Sequence, residues 1–290
     1  MIPASFDYHA PASLPEALAL LTKYGEEAKV LSGGQSLLPL LKLRLGQAAH
    51  LVDIGRIPGL EYVREEGGML RIGGRTRESA LEQSEVVKSR YPILLDTTKV
   101  IADPVVRNMA TVGGNLAHGD PGNDHPATMI ALRAQVVATG PKGERVIPIE
   151  QFFKGLFRTA LKPDEVLTEI RIPAPPAHSG GAYQKLERKV GDYATAAAAA
   201  QVTLAANGTV EKVGLALTNV GPTPILCTEA EAYLTGKKPD ATTLAETAKL
   251  AAKAATPSAD RRGSVDYKRE MARVLAGRAL KAAVSRAGGK

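Results

Sequence analysis

Short helix-like and strand-like segments alternate along this 290-residue chain, and paired glycines and prolines separate them. A helix is predicted after Ser13, a typical N-cap residue that is followed by Pro15 and Glu16 in the first turn. The segments 28–31 and 51–54 predict two short buried strands, and the apolar run 37–45 lies between them. Because strands and helices alternate in this way, we expect the chain to begin with a small parallel sheet.

Glycine and proline clusters at 55–59 and 173–176 predict two boundaries within the chain. The expected regions are 1–57 with the parallel sheet, 58–176 with a mostly antiparallel sheet, and 177–290 with a three-stranded sheet and helices. A length of 290 residues exceeds one average domain and agrees with two or three such units. The expected fold class is therefore α+β.

Local signals predict individual elements in the second and third regions. Helices are predicted at 76–84, 87–100, 229–234, 241–254 and 265–287. Pro92 is expected to lie at a turn inside the second of these helices. Asn207-Gly208, between two β-rich runs, predicts a hairpin with a two-residue turn. The alanine-rich run 194–200 favours a helix by propensity and a strand by its neighbours, and we predict a strand.

The composition is that of a soluble globular chain, with 44% hydrophobic and 23% charged residues. No run of about 18 apolar residues occurs, so we expect no transmembrane segment. The first residues lack a basic stretch followed by an apolar one, so we expect no signal peptide and a cytoplasmic location. The lone cysteine, Cys227, excludes a disulfide framework and any iron–sulfur or zinc cluster held by this chain's own thiols.

The net charge of +7 is concentrated at the C-terminal end of the chain. Residues 237–290 hold 13 of the 37 Lys and Arg but only 5 of the 30 Asp and Glu. This excess could form a surface for nucleic acid or an acidic partner, or simply a solvated helical face, which is the commoner role of charge runs. The small number of aromatic residues, eight Tyr and four Phe with no Trp, argues against base stacking on nucleic acid.

Several familiar motifs are missing from the sequence. Neither G-x-x-x-x-G-K-[ST] nor G-x-G-x-x-G after a strand occurs, so neither a P-loop nor an ordinary Rossmann site is expected. Neither G-x-S-x-G nor H-E-x-x-H occurs. His118 and His125 enclose Asp120 and Asp124, but a third ligand at typical spacing is lacking, and we expect no metal site.

Two segments, Ser32–Ser36 and Thr111–Asn115, carry a glycine pair between polar residues, and each is predicted to follow a strand. Paired glycines let backbone N–H groups approach an anion, and neighbouring hydroxyl and amide side chains can donate to phosphate oxygens. Either pair alone is a weak signal, since it could form only a tight turn. Two matching pairs favour a dinucleotide-like ligand whose diphosphate lies between them.

Further motifs follow in a fixed order along the chain. They are Ile2-Pro3 to Tyr8, Ser32-Gly-Gly-Gln-Ser36 before Leu-Leu-Pro, Ile101-Ala-Asp-Pro104, Thr111-Val-Gly-Gly-Asn115, Asn115-x-Ala117-x-x-x-Pro121-x-x-Asp124, Tyr183-x-Lys185-Leu-x-Arg188-Lys-x-Gly191-Asp-Tyr193-Ala194 and Gly214-Leu-x-Leu-Thr218-Asn219-Val220. This combination resembles the FAD-binding medium subunit of molybdenum hydroxylases, the family of the carbon monoxide dehydrogenase flavoprotein and the xanthine dehydrogenase FAD subunit. The likeness covers essentially the whole chain.

The resemblance implies a two-lobed FAD-binding domain of the vanillyl-alcohol-oxidase type and a C-terminal antiparallel sheet with helices. It implies that 30–37 and 111–115 hold the FAD diphosphate, and that Ile101 lies against the flavin or its linker. Leu167 and Lys185 match positions near the adenine or isoalloxazine ends. The implied cofactor-binding residues are Val30, Leu31, Ser32, Gly33, Gly34, Gln35, Ser36, Leu37, Ile101, Ala102, Thr111, Gly113, Gly114, Asn115, Asp124, Leu167, Lys185 and Tyr193.

Three of these residues have simpler alternative roles. Lys185 could be a solvated strand lysine and Tyr193 a core aromatic, instead of lying beside the isoalloxazine ring. Asp124 could be the N-cap of the helix at Pro126, instead of a hydrogen-bond partner of the cofactor. Gln35 stands where the family often has His or Thr, and its amide can still donate a hydrogen bond.

By resemblance, the chain is an FAD-binding electron-transfer subunit. It would accept electrons from a small partner with two [2Fe–2S] clusters, while a large partner with a molybdenum cofactor oxidises the substrate. A dimer of such heterotrimers, without nucleic acid, is the implied assembly. Two alternatives stay open: a stand-alone FAD-dependent oxidoreductase with its own substrate, and a non-enzymatic protein whose basic C-terminal region contacts nucleic acid or an acidic partner.

Overall fold

The computed structural model describes residues 2–288, so Met1, Gly289 and Lys290, at the outer ends of the first and third predicted regions, lie outside it. The strands are β1 Asp7–His9, β2 Ala28–Leu31, β3 His50–Asp53, β4 Val63–Glu66, β5 Met69–Gly73, β6 Gln135–Gly140, β7 Gly143–Pro148, β8 Phe153–Gly155, β9 Arg158–Thr159, β10 Val166–Pro173, β11 Ser179–Leu186, β12 Ala196–Leu204, β13 Val210–Thr218 and β14 Ile225–Leu226. The helices are α1 Leu14–Tyr24, α2 Leu37–Lys42, α3 Glu78–Gln83, α4 Glu85–Arg90, α5 Pro92–Lys99, α6 Pro104–Arg107, α7 Val112–His118, α8 His125–Ala131, α9 Thr228–Leu234, α10 Ala241–Ala254 and α11 Val265–Arg286.

The N-terminal part of the chain forms a three-stranded parallel sheet in the order β1-β3-β2. Helix α1 begins after Ser13, whose hydroxyl accepts a hydrogen bond from the N–H of Glu16, and ends at Gly25 with a φ of +54°. The apolar face of α1 packs on the sheet and forms a separate small core. The end of β2 is thereby held at the edge of this lobe, where the first glycine segment follows.

A five-stranded antiparallel sheet, in the order β4-β5-β10-β6-β7, forms the middle of the chain. Helices α3 to α8 lie between β5 and β6 in sequence and enclose the largest core with this sheet. The single helix predicted at 87–100 is wrong: α4 ends at Arg90 and α5 begins at Pro92. Proline has no N–H to continue the hydrogen-bond ladder, and it fits instead at the first position of a new helix.

The third part of the chain is a four-stranded antiparallel sheet in the order β11-β12-β13-β14. The predicted sheet had three strands and missed β14, because two residues leave no periodic pattern. The hairpin loop also differs from the prediction. Ala205 N–H donates to the carbonyl of Thr209, which leaves a three-residue loop with Gly208 at a φ of +78°.

The alanine-rich run lies on β12, which is buried on both faces. Ala197 and Ala199 face the large core shared with the middle sheet, whereas Ala196, Ala198 and Ala200 face the core under α11. Side chains alternate between the two faces of a strand, so each face needs small residues if helices approach both. Packing on two sides therefore overrides the helical propensity of alanine here.

The basic C-terminal residues lie mainly on the exposed faces of α10 and α11. Several pair with acids one turn away, such as Lys249 with Glu246 at 2.9 Å and Arg273 with Glu270 at 2.6 Å. Exposed pairs of this kind contribute about 0–1 kcal/mol each and favour a solvated face. None of the helices within residues 2–288 is both long and apolar enough to cross a membrane.

Candidate functional site

The first glycine segment, residues 32–36, is the loop that joins β2 to α2. Gly34 has a φ of +74° and lets the chain turn back toward the helix. Among the hydrogen bonds of residues 2–288, none is donated by the backbone N–H of Gly33, Gly34, Gln35 or Ser36. Backbone N–H groups without a protein acceptor are donors available to a ligand.

This loop contacts the middle region at Gly33. A Cβ added to Gly33 would lie 2.2 Å from the carbonyl oxygen of Met109 and 2.8 Å from Cα of Ala110, so a side chain does not fit. Beside this contact, the hydroxyl oxygens of Ser32 and Thr111 are 3.0 Å apart. The two predicted glycine segments are therefore neighbours in the folded chain.

The sequence pattern predicted a strand before the second glycine segment, and this prediction is wrong. The segment instead begins a helix. Thr111 is the N-cap of α7, and its hydroxyl oxygen accepts a hydrogen bond from the N–H of Gly114 at 3.2 Å. The N–H groups of Val112 and Gly113 donate to the carbonyls of Thr76 and Gly74. Because its N–H groups are used within the protein, this segment offers hydroxyl and amide side chains to a ligand.

Asn115 supplies one polar atom that the protein leaves unpaired. Its side-chain Oδ1 is buried and has no hydrogen-bond partner, while its backbone carbonyl accepts from Asn123 Nδ2 at 2.8 Å. Buried polar atoms are almost always hydrogen-bonded in folded proteins. The unpaired Oδ1 therefore marks a position where a ligand with a donor group would complete the structure.

Leu167 reaches this area through its backbone. A Cβ on Gly74 would lie 2.1 Å from the carbonyl oxygen of Leu167, and one on Gly113 would lie 2.3 Å from the carbonyl oxygen of Gly74. Three backbone segments thus stack without side chains between them. The side chain of Leu167 itself is buried in the large core.

Asp124 is the centre of a buried polar cluster. Tyr183 Oη donates to its Oδ1 at 2.6 Å and Lys185 Nζ to its Oδ2 at 2.9 Å. Burial raises the pKa of Asp124 above its ordinary value, although the charge of Lys185 and the hydrogen bond from Tyr183 oppose this. Burial and the neighbouring Asp124 also raise the pKa of Tyr183.

This cluster excludes the simpler alternative roles of Asp124 and Lys185. The Asp124 side chain makes no capping hydrogen bond to α8, so its partners are on β11 and not in the helix. The side chain of Lys185 is only 3% exposed, so it is not a solvated strand lysine. Both residues therefore lie where burial without partners would be costly.

The same lysine connects the cluster to the segment that contains Ile101 and Ala102. Lys185 Nζ donates to the carbonyl of Val100 at 2.9 Å. Ile101 is buried, and Ala102 has the unusual φ of +45°. A Cβ on Gly191 would lie 2.7 Å from the carbonyl oxygen of Ala102, so the loop after β11 rests on this segment.

Tyr193 is not a core aromatic, because 45% of its surface is exposed. Its ring lies against Gly122, whose added Cβ would be 3.1 Å from Tyr193 Cδ1. The pKa of Tyr193 is raised, chiefly by burial and then by the charges of Asp120 and Asp124. Tyr193 thus lies where the loop after β11 meets the second part of the chain.

The remaining predicted residues lie at the margin of this site. Leu31 ends β2 beside Gly34, Leu37 starts α2, and Gln35 is exposed with its amide 3.5 Å from the carbonyl of Gly33. Val30 packs against the N-terminal core. The structure therefore brings most predicted residues together but leaves the side chains of Val30 and Leu167 in two separate cores.

The two histidines considered for a metal have other surroundings. His125 is fully buried, and its Nε2 is 2.7 Å from Glu78 Oε2. Burial lowers the pKa of His118, against the opposing effect of Asp120. Within residues 2–288, no group of three or more His, Cys, Asp and Glu side chains is arranged to hold a metal ion.

Three residues of the site were missed in the sequence. Tyr183 could have been found from the sequence. It lies two residues before Lys185 on β11, and side chains two apart share one face of a strand. Gly74 carries no such signal, since its importance comes from a contact with Leu167 that is distant in sequence. Asn123 is only eight residues from Asn115, but no local pattern marks the hydrogen bond between them.

Two family models together match nearly the whole chain. Residues 4–175 match the FAD-binding domain in molybdopterin dehydrogenase, and residues 181–283 match the carbon monoxide dehydrogenase flavoprotein C-terminal domain. The chain belongs to this flavoprotein family. It is thus an FAD-binding subunit of the molybdenum-containing oxidoreductase class, and the resemblance noted in the sequence is confirmed.

Several relatives match nearly the whole chain. The carbon monoxide dehydrogenase medium chain of Hydrogenophaga pseudoflava is 47% identical over 286 residues, which is 99% of each chain. The 6-hydroxypseudooxynicotine dehydrogenase complex subunit alpha of Paenarthrobacter nicotinovorans is 37% identical over 99% of this chain and 97% of its own. The putative xanthine dehydrogenase FAD-binding subunit of Escherichia coli is 30% identical over 98% and 97%. These enzymes differ in substrate, so the family likeness does not assign one.

Solved structures share the fold. A carbon monoxide dehydrogenase of Hydrogenophaga pseudoflava that lacks the Mo-pyranopterin moiety matches with a TM-score of 0.96 and 49% identity, over 99% of both chains. Quinoline 2-oxidoreductase from Pseudomonas putida 86 matches with a TM-score of 0.92 and 33% identity, also over 99% of both chains. The predicted α+β class is therefore confirmed.

FAD, the cofactor of this family, suits the residues that the site presents. An FAD diphosphate needs several donors, and the loop Ser32–Ser36 has four backbone N–H groups without protein acceptors. Beside that loop, the hydroxyls of Ser32 and Thr111 can turn toward an anion. The unpaired Oδ1 of Asn115 can accept from a hydroxyl or amino group of the cofactor.

Proposed function

We propose that FAD binds where the loop Ser32–Ser36, the segment Thr111–Asn115 and the cluster around Asp124 meet. The observation that carries this proposal is the set of backbone N–H groups in the first loop, none of which has a protein acceptor within residues 2–288. Such a loop can hold an anionic diphosphate without any Lys or Arg. The contact between Gly33 and Met109 keeps the loop against the second segment.

The other proposed cofactor residues shape the site around the bound group. Tyr193 lies half-exposed at the edge of the site, where it would cover part of the flavin and exclude water. Lys185 lies between the carboxylates of Asp124 and Glu187, at 2.9 and 3.3 Å, so these acids offset its charge. Its main role would be to connect β11 with the backbone at Val100. When bound, FAD supplies the redox chemistry, and the chain supplies its position and surroundings.

We further propose that the chain is the electron-transfer subunit of a molybdenum hydroxylase. Its relatives include medium chains and complex subunits of molybdenum-containing dehydrogenases, which supports the presence of partners. Cys227 is the lone cysteine and is buried, so this chain cannot hold iron–sulfur clusters with its own thiols. Electrons would then reach FAD from [2Fe–2S] clusters of a small partner, after substrate oxidation at a molybdenum cofactor in a large partner. The proposed assembly is a dimer of heterotrimers.

The FAD site is tested by a single glycine substitution. Gly33→Val places a side chain against the Met109 backbone and should abolish the visible flavin spectrum of the reconstituted chain. Gly46→Ala is the control, because its added Cβ would lie 3.9 Å from Leu40 Cβ, an ordinary contact. The proposal fails if the unaltered chain never acquires a flavin spectrum, or if the Gly33→Val chain binds FAD as tightly as the control.

The electron-transfer role is tested by purification of the chain with its natural partners. A large and a small subunit should co-purify, and dehydrogenase activity with an artificial electron acceptor should require all three. A stand-alone FAD-dependent oxidoreductase would instead show substrate-dependent reduction of its flavin when purified alone. That result would overturn the subunit role and leave FAD binding intact.

A further inference from the structure

The loop between β11 and β12 is tied to the C-terminal region by one carboxylate. Asp192 Oδ1 accepts hydrogen bonds from Arg262 Nη2 at 3.0 Å and from the backbone N–H of Tyr193 at 2.9 Å. Its Oδ2 accepts from Arg188 Nε at 3.0 Å. Both oxygens are therefore occupied, and the residue next along the chain is Tyr193.

Of the two arginines, Arg262 is the one that can anchor the loop. Arg188 belongs to the same loop and moves with it, whereas Arg262 lies in the connection between α10 and α11. The backbone N–H of Arg262 donates to Asp260 Oδ1 at 2.7 Å, and Asp260 Oδ2 in turn lies 2.8 Å from Nζ of the buried Lys268 on α11, so Arg262 is held to that helix; its side chain is only 25% exposed. The contact thus joins two segments that are held independently.

Charge makes this contact persistent near neutral pH. Burial alone would raise the pKa of Asp192, but hydrogen bonds from Arg262 and Arg188 outweigh it and hold the pKa below its ordinary value. Hydrogen bonds between charged groups are shorter and stronger than neutral ones. Asp192 therefore stays ionised and bonded under the conditions in which the protein would work.

The opposite side of the loop rests against the segment Ile101–Ala102. Gly191 has a φ of +82°, and an added Cβ would contact the backbone of Ala102 at 2.7 Å. Tyr193 follows and lies against Gly122. The loop is thus placed between Arg262 on one side and the walls of the proposed FAD site on the other.

We propose that Arg262 is a positioning residue for the flavin site, because through Asp192 it fixes Tyr193 at the edge of that site. The connection between α10 and α11 would then support a site whose walls come from the first two parts of the chain and from β11 with its following loop. This inference rests on the proposed function, since FAD is the ligand that Tyr193 would cover.

The test uses the full chain, with FAD itself as the probe. Arg262→Gln should raise the dissociation constant for FAD about tenfold, within the range of coupling between contacting charged groups. It should also increase quenching of bound-flavin fluorescence by iodide, because Tyr193 would cover the ring less. Arg262→Lys keeps the charge and should restore most of both properties. Arg273→Gln is the control, since it breaks an exposed pair with Glu270 on α11.

A double variant shows whether the effect passes through Asp192. Asp192→Asn combined with Arg262→Gln should weaken FAD binding no more than the stronger single change. The positioning role is wrong if Arg262→Gln leaves both affinity and quenching unchanged in a chain that binds FAD. It is also wrong if the two changes multiply, or if the flavin-free Arg262→Gln chain unfolds at a much lower temperature and Arg262→Lys does not rescue it. Failure of the unaltered chain to bind FAD would instead overturn the proposed function.

Discussion

A single ammonium group, Lys185 Nζ, holds together the buried polar cluster of this protein. It donates to Asp124 and to the Val100 carbonyl, and it lies 3.3 Å from Glu187 Oε2. Removal of one partner from a buried ion pair leaves an uncompensated charge, which costs more than the pair itself contributes. The residue therefore controls both the stability of the cluster and its response to pH.

Lys185→Met should destabilise the fold by about 3–5 kcal/mol at pH 8, and by less at pH 5. The pKa of folded Asp124 is already raised, so the fold favours the protonated carboxyl, and the contribution of this group to stability falls as pH rises through that pKa. Loss of the lysine charge raises the pKa further and extends this loss to higher pH. Urea unfolding at the two pH values measures the difference.

Asp124→Asn together with Lys185→Met is the control for this prediction. With no carboxylate left at residue 124, the pH dependence introduced by Lys185→Met should disappear. An equal loss of stability at pH 5 and pH 8 in the single variant would show that Asp124 is not the titrating group.

At the scale of elements, glycines allow helices to approach the sheets closely. A Cβ on Gly214 of β13 would lie 2.0 Å from the carbonyl oxygen of Ala131 at the end of α8. Gly180 of β11 meets the backbone of α11 in the same way, with Ala283 O at 2.3 Å from its added Cβ. Helix α8 begins immediately after Asp124. The packing of α8 against β13 therefore also determines where the Asp124 carboxylate lies.

Replacement of glycine by alanine should have opposite effects on stability at two positions. Gly214→Ala forces α8 away from β13 and should cost about 1–3 kcal/mol of stability, with weaker FAD binding because Asp124 moves. Gly277→Ala, inside α11, has its added Cβ 3.6 Å from Ala248 Cβ and should stabilise the chain by about 0.5–1 kcal/mol. Urea unfolding and FAD titration of both variants measure these effects. Unchanged FAD affinity in the Gly214→Ala chain would disconnect α8 from the site.

The elements show how far the sequence alone could lead. Local signals predicted β12 and the C-terminal helices, because hairpin and capping residues act within a few positions. The strand expected before Thr111 was wrong, since the same glycine pair can follow a strand or open a helix. The close contacts of Gly33 with Met109 and of Gly74 with Leu167 could not be predicted, because they depend on how separate sheets meet.

On the scale of the whole molecule, Cys227 can report when the fold is lost. It is buried at the start of α9, and burial, followed by the nearby charge of Glu231, raises the pKa of its thiol to about 12. Only the thiolate reacts readily with disulfide reagents. The one thiol of this chain is thus protected as long as the C-terminal core is intact.

Native protein should accordingly be almost inert to Ellman's reagent at pH 8, and unfolded protein should release one equivalent of thionitrobenzoate per chain. The rate of the slow native reaction should follow the opening of the C-terminal core as urea increases. Cys227→Ser is the control and should give no signal. Rapid labelling of the native chain would contradict the protected thiol.

The order of the site residues along the chain has a consequence for biosynthesis. Ser32, Thr111, Asp124 and Tyr193 emerge from the ribosome in turn, and Arg262 emerges last of all. Chains are made N-terminus first at about 5–20 residues per second, so a nascent chain displays the first glycine loop long before its opposing surfaces exist. On the proposed site, we therefore expect FAD to bind only after Arg262 has been made, and we expect a chain that ends before Arg262 to bind FAD more weakly.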